Sequence, residues 1–228
     1  MNFSSLNLPV IKLLVAKDWL LFQKQLAACV LAGIVALCLI GMATGWSFYL
    51  GSLLLIIVLV SASCFSISTS LLVERKEHTL AFVMSLPVTP LDYYLAKLVG
   101  SLVTFLVPFL VMLAGTMLVI LFTPLPDGLV VLSLLIFGHV LLAYTASLSV
   151  AMAVESEGWN IFAMISSMVL INPFIMLLGQ LPAISDHVKT DTIVFGPVVV
   201  SILLGQLVVG VAVLIATGWV HCRKKSFY

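Results

Sequence analysis

Six stretches of this chain run for 20 residues or more without a single Asp, Glu, Lys or Arg: 26–45, 50–73, 98–122, 129–154, 159–180 and 197–220. A hydrocarbon core about 30 Å thick needs roughly 20 apolar residues of helix to cross it, and each stretch meets that length. The composition leaves few alternatives. Of 228 residues 63% are hydrophobic and 8% are charged, against about 25% charged in an ordinary soluble domain. Too few polar groups exist to cover a globular surface. Disorder is excluded by the apolar excess, and strong nucleic-acid binding by a formal net charge of +1. The sequence therefore predicts an all-α integral membrane protein, a single transmembrane domain over residues 1–228 with no room for a second soluble domain.

Charge placement orients the six predicted crossings. An even number puts both termini on one side. Lys12, Lys17, Lys24, Arg75, Lys76, Lys97, Arg223, Lys224 and Lys225 fall on that side, and only Lys189 on the other. Cytoplasmic loops carry the Lys and Arg excess, so both termini are expected to be cytoplasmic. Trp46, Tyr49, Tyr93, Tyr94, Trp159 and Trp219 fall near span ends, where interfacial aromatics gather. The N-terminal segment 9–24 reads as an interfacial helix anchored by Trp19. The first apolar run is too long for a cleaved leader and is expected to remain as a span. Cys29, Cys38 and Cys64 lie in apolar runs, Cys222 lies in the basic tail, and no Cys/His spacing suits a metal.

Two connections are long, 74–97 inside and 181–196 outside, and the first is the more informative. Glu74, Arg75, Lys76 and Glu77 close the second span. Thr79 to Ser85 is apolar enough for two helical turns. Pro87 removes a donor and disfavours helix at Leu86, so the chain turns there. Thr89, Pro90 and Asp92 then supply an N-cap, a first-turn proline and an early acid for a new helix. The result is a short cytoplasmic helix with an apolar tip at Ser85–Val88. Such a tip is either a docking surface or a hairpin dipping into lipid.

The same residues carry a resemblance. Glu74-Arg-Lys-Glu-His-Thr-Leu, then Ser85-Leu-Pro-Val-Thr-Pro, then Asp92-Tyr-Tyr-Leu-Ala-Lys97 is similar to the signature of ABC-2 type transporter permeases, with His78 and Ala81 where the family usually has Gly and Glu. The resemblance implies a coupling helix at 77–88 that contacts a separate ATP-binding subunit. Its contacts would come from Glu74, Arg75, Glu77, Thr79, Leu80, Leu86, Pro87 and Val88. It also implies an elbow helix at 9–24, a partly re-entrant external element in 181–196, a homodimer docked on two ATPase subunits, an exporter rather than an importer, and a bacterial inner-membrane location. ATP and Mg would be bound by the partner, and no cofactor is expected in this chain.

Energetics point the same way. The chain has no Gly-x-x-x-x-Gly-Lys-Ser/Thr loop of its own. The six apolar runs hold no Asp, Glu, Lys or Arg, whereas ion-driven transporters place such groups near the midplane. Energy should therefore come from a partner chain. Candidate residues for a translocation path are Ser63, Ser66 and Ser70, which share a 60° arc of an ideal helix, together with His139 and Asn172; small residues packing helices together is the competing reading of the serines. Pro108 and Pro173 are expected to kink the third and fifth spans. Small polar and apolar linings suit a lipid-like, amphipathic, peptide or drug-like cargo. The rival readings are an integral membrane enzyme built around His139 and an ATPase-independent scaffold or channel; neither Gly-x-Ser-x-Gly nor HExxH occurs.

Overall fold

A computed structural model describes residues 8–72, 90–154 and 156–223. Among them there is no strand. The chain forms α1 (Leu8–Gly41), α2 (Gly45–Ile67) with a π-helical extension (Ser68–Leu72), α3 (Pro90–Phe122), α4 (Leu129–Ala153), α5 (Glu157–Val169), α6 (Ile171–Gln180), α7 (Pro182–Ser185) and α8 (Pro197–Arg223). Counting the consecutive α5 and α6 together, six helical segments are long and apolar enough to cross a membrane. This is the architecture of a multi-pass membrane protein. The expected coupling helix at 77–88, with all eight of its named contact residues, and the acidic loop residue Glu155 lie outside the described residues.

Two expectations about the spans need correction, and a third takes a definite form. The 9–24 segment is not a separate elbow: it forms the first half of α1, a continuous helix of 34 residues and about 51 Å. The reason is local, since Pro9 sits in the first turn and no Pro or Gly follows it until Gly33. The first turn of chain comes at Met42–Thr44, where Ala43 takes a left-handed φ of 51°, so α2 starts at Gly45 rather than at 50. The fifth span is interrupted where Pro173 is expected to kink it, and Leu170 there keeps helical φ and ψ with bonds from its own amide to Ser166 and from the Phe174 amide to its carbonyl. α5 stops at Val169, Leu170 joins it to α6, and Pro173 stands in the first turn of α6, where a missing N–H costs no internal bond. Pro108, by contrast, is absorbed inside the unbroken α3.

Packing divides the bundle. α1 lies along α2 and α3, α8 lies along α4, and α4 also carries α5 and α6. Gly51 lets α2 approach α1 closely: a Cβ there would stand 2.8 Å from the Ala36 carbonyl oxygen and the Ile40 nitrogen. The main core joins Ala36 and Ile40 of α1, Leu55 and Leu59 of α2, Phe105, Phe109 and Met112 of α3, and Phe137, Tyr144 and Leu148 of α4. Its aromatic members interlock, Phe105 with Phe109 at 5.4 Å and Phe109 edge-on to Phe137 at 5.4 Å. At one end of the bundle a smaller core gathers Val131, Leu135, Leu178, Ile184 and Val199. Here the 181–196 connection folds over the α3–α4 turn, and the Gly128 amide donates to the Thr190 carbonyl at 2.9 Å.

The aromatic belt is mostly as expected. Trp46, Tyr49, Trp159 and Trp219 are exposed near helix ends, where an interface would hold them. Tyr94 is the exception. It is buried in the core beside Gly218 of α8. Large apolar side chains also cover the outer faces of α5, α6 and α8, including Phe162, Ile165, Met176, Leu207, Val211 and Ile215. Water would not tolerate such faces; lipid or another helix surface would.

Candidate functional site

Polar side chains inside the bundle collect in two places. The first is where α1, the end of α2 and the start of α3 converge. Lys97 Nζ lies 3.0 Å from Asp18 Oδ2, and both side chains are almost wholly buried, at 2% and 3% exposure. Neither belongs to the six apolar runs. The helices extend beyond those runs, and the extensions bring two opposite charges together. Ser70 donates to the same Asp18 oxygen at 3.4 Å, and Ser101 donates to Ser70 at 3.1 Å. Gly100 makes room for the carboxylate, since a Cβ there would sit 3.3 Å from Asp18 Oδ2.

The network continues inward through the backbone of α3. The Ser101 carbonyl accepts hydrogen bonds from Tyr144 Oη at 2.6 Å, Ser66 Oγ at 3.0 Å and Thr104 Oγ1 at 3.0 Å. Ser66 also stands 2.9 Å from Thr104 Oγ1 and 3.2 Å from Tyr144 Oη. Tyr144 is held in place by stacking on Phe105, with centroids 3.9 Å apart and planes 18° apart. Each of the seven side chains, Asp18, Lys97, Ser66, Ser70, Ser101, Thr104 and Tyr144, has a partner. An apolar bundle accepts buried charge on those terms.

The second place is a cleft between α2, α4 and α5. Val60, Ser63 and Cys64 come from α2, His139, Val140, Ala143 and Ser147 from α4, and Met164, Ser167 and Met168 from α5, with Ile171 at the α5–α6 junction. Each helix contributes at i, i+3/i+4 spacing, so three helical faces meet. The cleft has about 20 Å³ of free space, enough for one water-sized group. Ser147 and Ser167 satisfy one another at 2.7 Å, and Ser167 also donates to the Ala163 carbonyl at 2.8 Å. His139 is different. Its ring stacks on Phe174 of α6, with centroids 4.3 Å apart and planes 11° apart, while its Nε2 is buried with no hydrogen-bond partner. No serine hydroxyl engages that nitrogen, so the nucleophile–base contact of a Ser–His hydrolase is not made through Nε2 here.

The five residues named for a path thus separate. Ser63 and His139 share the cleft. Ser66 and Ser70 face α3 and belong to the charged network. Asn172 is exposed on the outer face of α6, away from both. Asp18 and Lys97 were not singled out from sequence, although Asp18 is an acid inside an otherwise apolar and basic helix. Among the described residues no group of three His, Cys, Asp or Glu side chains is placed to hold a metal. Comparison of the chain with protein-family models, with curated protein sequences and with solved structures gives no match.

Proposed function

We propose that this chain is the permease subunit of an ATP-binding cassette exporter, working as a homodimer with two separate ATP-binding subunits in a bacterial inner membrane, both termini cytoplasmic. The reading rests on the motif Glu74–Lys97 in a chain with six potential crossings. One observation supports it beyond the motif: the segment that would dock the ATPase is bracketed by a buried join. Ser70 on its near side and Lys97 on its far side both bind Asp18 of α1. Force applied to a lever between residues 72 and 90 would reach three helices at once through that join. A rigid charged connection is suited to transmitting movement, because separating its partners leaves buried charge uncompensated. The cargo would be lipid-like or amphipathic, in keeping with apolar surfaces that hold few polar groups.

Affinity purification in mild detergent with mass spectrometry of bound chains tests this. A stoichiometric ATP-binding subunit should be recovered with the wild type and lost with Leu86→Asp, while the permease itself stays in the membrane. If no nucleotide-binding chain accompanies the wild type under several detergents, the reading fails.

A further inference from the structure

The His139 cleft has features that the surrounding bundle does not need for stability. Its depth is that of the hydrocarbon: His139 lies about 15 Å along α4 from Leu129 and about 21 Å from Ala153, at 1.5 Å per residue. Its apolar lining comes from Val60, Met164, Met168 and the buried Ile171, and Met168 is exposed at the bundle surface. The same lining holds Ser63, Ser147 and Ser167 together with His139, whose Nε2 has no partner. A polar atom buried without a partner is a cost that an incoming hydrogen-bonding group relieves. The backbone is also irregular at this point. The helical bonding of the fifth span is interrupted around Leu170, next to Ile171 of the cleft lining.

We infer that this cleft binds the neutral, hydrogen-bonding headgroup of an amphiphile that enters sideways from the bilayer, with its acyl or alkyl body lying along Met164 and Met168. The inference deepens the transport reading by naming the class of molecule that the membrane part takes. Neutrality follows from the lining: no Asp, Glu, Lys or Arg contributes to it, and an unpaired charge at this depth would be strongly disfavoured. A hydroxyl fits best among small groups. It donates to His139 Nε2 and accepts from a serine, and one hydroxyl matches the space available.

The purified permease in nanodiscs, without any ATPase, is the material for the test. The probe is a monoacylglycerol carrying a diazirine beside its headgroup, cross-linked by light and mapped by mass spectrometry. Cross-links should concentrate at 60–64, 139–147 and 164–171, and excess unlabelled monoacylglycerol should reduce them at least fivefold. An equal excess of alkyl phosphate should not. Ala143→Trp, which fills the cleft and leaves His139 in place, should remove them, as should His139→Leu. Even labelling over the outer faces of α5, α6 and α8 overturns the inference, and so does unchanged cleft labelling in a folded Ala143→Trp protein. Equal competition by the alkyl phosphate overturns the neutral headgroup. Because no ATPase is present, a negative result here leaves the co-purification with Leu86→Asp to decide the transport reading separately.

Discussion

Ser63 and Ser66 stand three residues apart on α2 and serve opposite kinds of site. Ser66 reaches into a network in which every side chain has a partner and whose far end is a buried ion pair. Ser63 borders a cleft in which two serines satisfy each other and a histidine nitrogen is left unpaired. The two regions share α2 and α4, and both draw on serine hydroxyls. What separates them is satisfaction. A fully paired network resists opening, because each lost contact exposes a polar group to apolar surroundings. A partly satisfied one gains from a visitor. The first arrangement suits a joint, and the second suits a receptor.

The contrast is broken most severely at Lys97. Lys97→Met removes the cation and leaves Asp18 buried among Ser70 and the α3 backbone. It should lower stability in detergent by about 3–5 kcal/mol, read as a large fall in thermal midpoint and in yield. Adding Asp18→Asn removes the stranded charge, so the double variant should regain at least half of that loss. If Lys97→Met melts like the wild type, the pair is not buried in the working protein. Tyr144→Phe probes the same network at its neutral end. It keeps the stack on Phe105 and deletes the bonds to the Ser101 carbonyl and Ser66. Inside a membrane bundle such a loss is about 1 kcal/mol, well below the Lys97 effect and measurable in the same melts.

Much of this architecture was readable from the residues, and the parts that were not share a cause. Length and apolarity locate spans, because the bilayer imposes both. Each of the six runs lies mostly within a helix long enough to cross, the first overrunning into the Met42–Thr44 turn. Where a helix is disturbed is decided locally, so Pro173 marks the interruption in the fifth span, although the sequence does not say that it centres on Leu170. Partner choice is less legible still. Asp18 and Lys97 are 79 residues apart, and nothing periodic links them. The serine arc failed for a geometric reason. An ideal wheel puts Ser70 between Ser63 and Ser66, but residues 68–72 form a π turn. That wider turn advances fewer degrees per residue, and it carries Ser70 to the α3 side with Ser66.

His139→Phe gives the smallest expected effect and the sharpest distinction. Phenylalanine can keep the flat stack on Phe174, and it removes a buried ring nitrogen that has no partner. Deleting a polar group that makes no bond relieves its desolvation cost, whereas the slightly larger ring has to be fitted into a cleft that has free space. The two effects oppose each other. The thermal midpoint should therefore shift by the equivalent of less than about 1 kcal/mol, in the stabilising direction if the ring is accommodated without movement of α5. A loss as large as that of Tyr144→Phe would mean that Nε2 is already bonded, and that the cleft is structural in the same sense as the charged network. A neutral or stabilised protein would mean that the bundle keeps His139 at some expense to its own stability, as a site that binds a ligand must.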